Sequence, residues 1–464
     1  MKLSFHGADR GVTGSCHLIE CAGKKILIDC GLYQGGRKIA EENLEPFGFE
    51  PGDIDYLLLT HAHLDHCGRI PLLAKRGFRG EIIATAATVE LARLVMLDSA
   101  GLQEEDARYH SRRHRRHYGN HDKVTEPLYT TLDALNSLEF IGRRASYDKP
   151  VEIAPGIRAT FLDAGHILGS ASIFLELEEG TRKKRLLFSG DLGYSNRAIL
   201  RNPAKPPEVD AVIMETTYGD RLHKQLQPSI EELYSVINET VGRGGNVIIP
   251  TFALERAQEI LYYLREGAKD GSIKHFTNVF LDSPMAISAT EIFDRHPECF
   301  DADTLEVLRE SGDPFSLPGL HFTRDTADSM AINQIGGGAV IMAGSGMCTG
   351  GRVTHHLKHN LWRTKSSVVF VGYAAQGTLA RRIIDGAERV KIFGEEIPVR
   401  ASIHTIGGFS AHADQAELLS WQRQTGNPQT TFLVHGEEEA MRSFAKNLTN
   451  TQVEMPALHQ VYEL

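Results

Sequence analysis

The stretch IDYLLLTHAHLDHCGR, residues 54–69, narrows the folds open to this chain more than any other. An apolar run of strand length opens directly into His61, His63, Asp65 and His66, four side chains that ligate borderline metal ions, packed into six positions. In an extended loop residues two apart face the same way, so His61 and His63 can grip one ion while Asp65 and His66 turn toward another. Both sites are then half built, and the fold must deliver the remaining donors from elsewhere.

Other strand-like runs in the first 219 residues end in the same way. GKKILIDCG stops at Asp29, KRLLFSGDLG at Asp191 and VDAVIMETTYG at Glu215, while RATFLDAGH reaches His166 after Ala164 and Gly165. Strand ends that converge on one rim are where sites sit in layered α/β folds. Asp191 is set among glycines that let the backbone approach closely, so its carboxylate is placed to bridge two cations, as in two-metal hydrolases. His166 would complete the first site and His435, in FLVHGEEEA, the second.

The distance from His166 to His435 makes chain organisation matter. A length of 464 residues suits about two or three domains. From 220 to 401, helical stretches such as LERAQEILYYLREGAK alternate with the strands GGNVIIPT, NVFLDS, GAVIMAGSG and SSVVFVGY, the pattern of a second α/β domain with parallel strands. Ligand-type chemistry returns only at GGFSAHAD and FLVHGEEEA, so the middle domain is expected to be an insertion: residues 1–219 and 402–464 form one domain and 220–401 the other. A formal charge of -10 gives no global pull toward nucleic acid, and any anionic substrate must be met by metals or local Arg and Lys. No signal-like N-terminus and no run near 18 apolar residues is present, which points to the cytoplasm and to no membrane partner. Six cysteines without a CxxC pair fit reduced thiols.

HAHLDH with Asp29, His166 and Asp191 resembles the metallo-β-lactamase superfamily, and ETTYG, FSAHAD and LVHGE resemble the three added motifs of its β-CASP branch. The similarity runs from HGADRGVTGSCHLIE to LVHGE, and the nearest subgroup is that of bacterial relatives of the cleavage and polyadenylation specificity factor nuclease. The implied fold is an αββα sandwich with an inserted α/β β-CASP domain, shaped like scissors with the metals at the base of the cleft. The implied cofactors are two Zn²⁺, one held by His61, His63, His166 and Asp191, the other by Asp65, His66, Asp191 and His435. Asp29 would orient those ligands from behind, and His412 would be a proton donor held by Glu215. The implied activity is endo- or 5′-exonucleolytic cleavage of RNA by a metal-bound hydroxide, leaving 5′-phosphate and 3′-hydroxyl ends, and His435 in LVHGE resembles the RNA-specific branch.

Phosphodiester hydrolysis needs a nucleophile, charge stabilisation and an acid for the leaving oxygen; a histidine kept charged by a carboxylate suits the last task. LDSPMA, AGSGMCTGGR and GYAAQGTLARR are glycine-rich or hydroxyl-bearing stretches whose amides, with Ser283, Ser345 and Arg352, are expected to contact phosphates of single-stranded RNA. QEEDARYHSRRHRRHYGNHDK, residues 103–123, carries His110, His114, His117 and His121 at helical spacing and is read either as a basic stripe for RNA or as a solvated face. His6, His223, His275, His355, His356 and His404 are read as structural, and TRKKR at 181–185 as a surface hairpin turn. Competing readings are a small-molecule thioesterase or lactonase on the same fold and a metal-free scaffold subunit of an RNA-processing complex. The oligomeric state, a homodimer included, is left open.

Overall fold

Alternation along three neighbouring strands shows how the first half of the architecture is layered. Leu186 and Phe188, Ala211 and Ile213, and Phe432 and Val434 turn one way into a shared apolar core. Leu187, Val212, Met214 and Leu433 turn the other way, onto Leu418, Trp421, Met441 and Phe444 of the helices Gln415–Arg423 and Glu438–Ala445. The period of two gives each strand two apolar faces, and such a sheet must be covered on both sides.

This sheet has seven strands in the order Gln452–Glu454, Thr430–Val434, Ala211–Glu215, Arg182–Phe188, Ala171–Glu179, Ile157–Asp163 and Val151–Ala154. The facing sheet also has seven: Val461–Glu463, Lys2–Phe5, His17–Cys21, Lys24–Ile28, Tyr56–Leu58, Glu81–Thr85 and Ile141–Ala145. Leu3, Phe5, Ile19, Ile26 and Leu58 of that sheet enter the same core. Each sheet is antiparallel on one side and parallel on the other. The parallel strands end side by side in short loops that carry most of the ligand-type residues, while His166 follows Ile157–Asp163, which is antiparallel to both its neighbours.

The described structure, a computed structural model, leaves out residues 36, 119–125, 275–277, 373 and 375–376, and the side chains at 37 and 113–118. Contacts divide the chain into a unit of Met1–Ser195, Asn202–Leu222 and His412–Leu464, which holds both seven-stranded sheets, and a unit of Asn196–Arg201 and His223–Ala411. The second unit is built on six parallel strands in the order Leu320–Phe322, Asn278–Leu281, Ala339–Ala343, Val247–Pro250, Ser367–Phe370 and Ser402–Thr405. Its central strands, VIIP, AVIMA and SVVF, are apolar but for Ser367 and fully buried, as a sheet covered on both faces requires.

Two local expectations change. Leu64–Cys67 is a helical turn rather than extended loop, so Asp65 and His66 leave the direction of His61 and His63 by helical rotation. In TRKKR only Thr181 belongs to the turn, and Arg182–Arg185 run along a strand, with Arg182, Lys183 and Arg185 exposed and Lys184 half-buried. The His-rich segment continues the helix Ala86–Tyr118; His110 is exposed, while the side chains of His114 and His117 and the whole of His121 lie outside the described residues, as does His275. Among the described residues no helix is long and apolar enough to cross a membrane.

Candidate active site

Six strand ends of the first unit carry the cluster. Asp29 follows Lys24–Ile28, His61 lies three residues beyond Tyr56–Leu58, His166 three beyond Ile157–Asp163, Asp191 three beyond Arg182–Phe188, and His435 directly after Thr430–Val434; Glu215 is the last residue of its own strand. Asp29 and His435 have φ of 61° and 47°, in the left-handed region that costs an L-residue about 1–2 kcal/mol. Both turn sharply out of a strand so that the side chain, and not the next strand residue, faces the cluster.

Hydrogen bonds fix which ring nitrogens are available. Asp29 accepts from the Thr60 amide at 2.8 Å, from the Thr60 hydroxyl at 2.8 Å and from His66 Nδ1 at 2.7 Å. Having donated its one proton to Asp29, the Thr60 hydroxyl accepts from His61 Nδ1 at 3.0 Å. His61 and His66 are thereby left with Nε2 lone pairs facing the cluster. Thr217 repeats the device: its hydroxyl donates to the His435 carbonyl and accepts from His435 Nδ1, both at 3.1 Å, which frees His435 Nε2. Thr60 and Thr217 escaped the sequence reading, although each is a hydroxyl residue at a strand end within one or two positions of a recognised motif residue.

The exposed lone pairs then crowd together. His63 Nδ1 lies 3.2 Å from His61 Nε2 and 3.2 Å from His166 Nε2, and the latter two lie 3.5 and 3.6 Å from Asp191 Oδ2. On the other side His66 Nε2 and His435 Nε2 are 3.3 Å apart, with Asp65 Oδ2 3.4 Å from His435 and Asp191 Oδ1 3.3 Å from His66. One nitrogen cannot share protons with both neighbours, so facing lone pairs repel unless a cation lies between them. A tetrahedron with metal–nitrogen bonds near 2.0–2.1 Å has edges of about 3.3 Å, the spacing found on both sides. Asp191 Oδ1 is buried and accepts no well-directed hydrogen bond, an orphan that a cation would satisfy. The donor set therefore fits two divalent ions with Asp191 between them.

Electrostatics agree with that fit. Burial, then the neighbouring His66, holds His61 well below the usual imidazole range, and burial pushes His63 down to about 4, so both rings are neutral donors. Burial would depress His66 too, but Asp191 and Asp29 outweigh it and raise its pKa well above the usual value. In the metal-free protein a proton on His66 relieves the crowding, and a bound cation takes its place.

Beside this cluster stands a different pair. Glu215, fully buried, accepts from the Leu192 amide at 2.6 Å and faces His412 Nδ1 at 3.2 Å. An isolated antiparallel bridge between Gly193 and His412 and the capping of the next helix by Asp414 fix the His412 backbone. Its ring, about a fifth exposed, has Nδ1 3.9 Å from Asp191 Oδ2. Burial lowers its pKa, yet Glu215 and then Asp191 raise it to about 9, so the ring carries a proton at neutral pH.

Ser283, Ser345 and Arg352 belong to the second unit and have local partners. Ser283 caps the helix Pro284–Arg295 by accepting from the Ala286 amide at 3.2 Å, and Ser345 Oγ accepts from the Thr349 amide at 3.2 Å. Arg352 donates to the buried Asp282 at 2.7 Å and to the carbonyls of Thr323 and Arg324. Asp282 also accepts from the buried His356 and from Ser329, both at 2.6 Å. Of the third stretch, GYAAQGTLARR, residues 373, 375 and 376 are outside the described residues.

Comparison with known proteins bears on the whole chain. The Metallo-beta-lactamase superfamily matches residues 9–237, the Beta-Casp domain 257–383 and the Zn-dependent metallo-hydrolase RNA specificity domain 396–457. Ribonuclease TTHA0252 of Thermus thermophilus is 40% identical over 448 residues, 97% of this chain and 96% of that protein. Transcription termination factor FttA of Methanocaldococcus jannaschii is 32% identical over 456 residues, 96% of this chain and 68% of that protein. A solved protein of unknown function from Enterococcus faecalis V583, 11% identical with a TM-score of 0.58, spans 100% of this chain and 99% of its own and shares the fold. Likeness sustained over nearly the full length of both proteins settles the relationship: the chain belongs to the metallo-β-lactamase superfamily, in its β-CASP branch.

Proposed function

We propose that the chain is a two-zinc ribonuclease that hydrolyses RNA phosphodiester bonds in RNA processing or decay, leaving 5′-phosphate and 3′-hydroxyl ends. The observation that carries the reading is the pair of donor clusters meeting at Asp191 with His412, paired to the buried Glu215, beside them. A small-molecule hydrolase needs no such acid when its leaving group departs as a stable anion; a ribose 3′-oxygen does. The names of the two relatives, a ribonuclease and a transcription termination factor, support RNA as the substrate.

The ions would be held by His61, His63 and His166 on one side and by Asp65, His66 and His435 on the other, with Asp191 serving both. Bound there, they supply a water nucleophile at neutral pH and offset phosphate charge. The chain does the rest. Asp29 and Thr60 keep His61 and His66 in the tautomers that present Nε2. Glu215 accepts the hydrogen bond of His412 Nδ1–H and so holds the ring charged, which leaves Nε2–H as the proton offered to the departing 3′-oxygen. Ser283 and Ser345, with the amides of their loops, are proposed contacts for phosphates along the strand, and Arg352 acts there mainly by fixing Asp282.

End-labelled RNA with 5′-hydroxyl, monophosphate or triphosphate ends tests the reading. Metal-dependent cleavage to products with 5′-phosphates is expected, and product length separates internal cuts from stepwise removal at the 5′ end. Intact RNA together with rapid thioester hydrolysis would replace the proposal with the small-molecule reading.

A further inference from the structure

The six-stranded parallel sheet has a switch in its winding. From Val247–Pro250 the chain moves to one side, laying down Asn278–Leu281 and Leu320–Phe322. It then returns to place Ala339–Ala343 directly beside the first strand and continues to the other side with Ser367–Phe370 and Ser402–Thr405. Right-handed crossovers carry the chain from Val247–Pro250 and Ala339–Ala343, which are neighbours, to helices on opposite faces of the sheet, so the winding reverses beyond these two strand ends. In open α/β sheets ligands bind in that crevice, beyond the carboxyl ends of the strands.

Phe252 stands in the first of these loops with 40% of its surface exposed. The second loop, 344–351, lies against its flank: a Cβ on Gly346 would sit 2.7 Å from ring atom Cε2 and 2.8 Å from Cδ2, and one on Gly372 would sit 3.6 Å from Cε2. Glycine at 346 is therefore what lets the backbone seat the ring edge. A Cβ on Gly344 would lie 3.6 Å from Ser283 Oγ and 3.8 Å from the Thr251 carbonyl, so three strand-end loops meet at this point. Thr251, next to Phe252, has a buried hydroxyl with no hydrogen-bond partner among the described residues. Single exposed apolar side chains are ordinary on protein surfaces. An aromatic ring anchored by bare backbone at the switch point of a parallel sheet is a surface made for something flat.

We infer that Phe252 is a stacking platform for one base of a single-stranded nucleic acid bound in this crevice. The inference rests on the ribonuclease reading and adds to it a subsite in the inserted domain. Every base has a π-face, so the platform holds RNA without reading its sequence, and it adds grip that the Arg352 cation, tied to Asp282, does not supply.

Stopped-flow mixing of the full-length, zinc-loaded protein with single-stranded RNA carrying 2-aminopurine at successive positions reads stacking as fluorescence quenching before cleavage. The wild-type protein should quench at one position. Phe252→Leu, apolar but without a π-face, should lose the quench and weaken binding roughly 5- to 150-fold, while Phe252→Trp retains both. Gly346→Ala, whose new methyl displaces the ring, should behave like Phe252→Leu. Undiminished quenching and affinity in both Phe252→Leu and Gly346→Ala overturn the platform. If wild-type protein cuts the RNA in that case, the ribonuclease reading stands alone; wild-type protein that neither binds nor cuts the RNA overturns both.

Discussion

His412 and the metal-type cluster lie within 4 Å of each other, yet they are separable by the leaving group. His412→Ala should lose about 10²- to 10⁴-fold on RNA while keeping its metal, and should be nearly normal on a nitrophenyl phosphodiester, whose leaving group departs without a proton. Equal losses on both substrates with metal released would make His412 a ligand. The pKa of about 9 gives the pH dependence its sign. The acid must be protonated, so kcat/KM on RNA holds at neutral pH and falls as pH rises through that value, or through a lower one once bound cations add their charge. Glu215→Gln removes the strongest influence raising that pKa, and the alkaline limb should move to lower pH; an unmoved limb would mean that Glu215 does not set it. Thr60→Val keeps the shape and deletes the hydroxyl that orients His61, and metal affinity, read by competition with a chromophoric chelator, should drop about 10- to 100-fold.

The helix Gln415–Arg423 has a second duty, because its cap lies two residues past His412. Asp414 accepts from the Ala416 and Glu417 amides at 3.0 and 3.1 Å. Asp414→Ala should cost about 1 kcal/mol in urea unfolding and reduce RNA cleavage by loosening His412, with metal content unchanged. FSAHAD announces this arrangement in sequence, since an Asp before a helical run is a cap signal. The strands ending at Asp29, Asp191 and Glu215 were legible for a similar reason: their apolar runs stop abruptly at a polar residue. Leu64–Cys67 was not, because a four-residue helix shows no period, and its neighbouring histidines suggest a loop equally well. Arg182–Phe188 hid its first half because Arg182–Arg185 run past the start of Ala211–Glu215 and pair only with Ala171–Glu179, a two-stranded ribbon open to water that places RKKR where the sheet interior would place apolar residues. Phe252 was invisible for a further reason: exposure at a switch point depends on strand order, which pattern alone does not give.

At the scale of the molecule, the first unit closes without the second. Arg221 and Gln415 are joined by a backbone hydrogen bond of 3.0 Å, so the chain leaves and re-enters at one place. A protein in which a short Gly-Ser linker joins Leu222 to His412, with the buried Ile199 and Leu200 of the other unit made polar, should still bind about two zinc ions by elemental analysis. RNA cleavage should be lost with the inserted domain, and retention of full activity would confine recognition to the first unit. The return of ligand motifs after residue 401 made the insertion readable in sequence, whereas the recruitment of Asn196–Arg201 by the second unit was not, since that short loop carries no signature. The same threading orders events in time. His435 is added 374 residues after His61 (435 − 61), roughly 20 to 75 s later at ordinary rates of synthesis. Until it arrives the second donor set is incomplete, and a nascent chain surrounded by messenger RNA carries an unfinished blade.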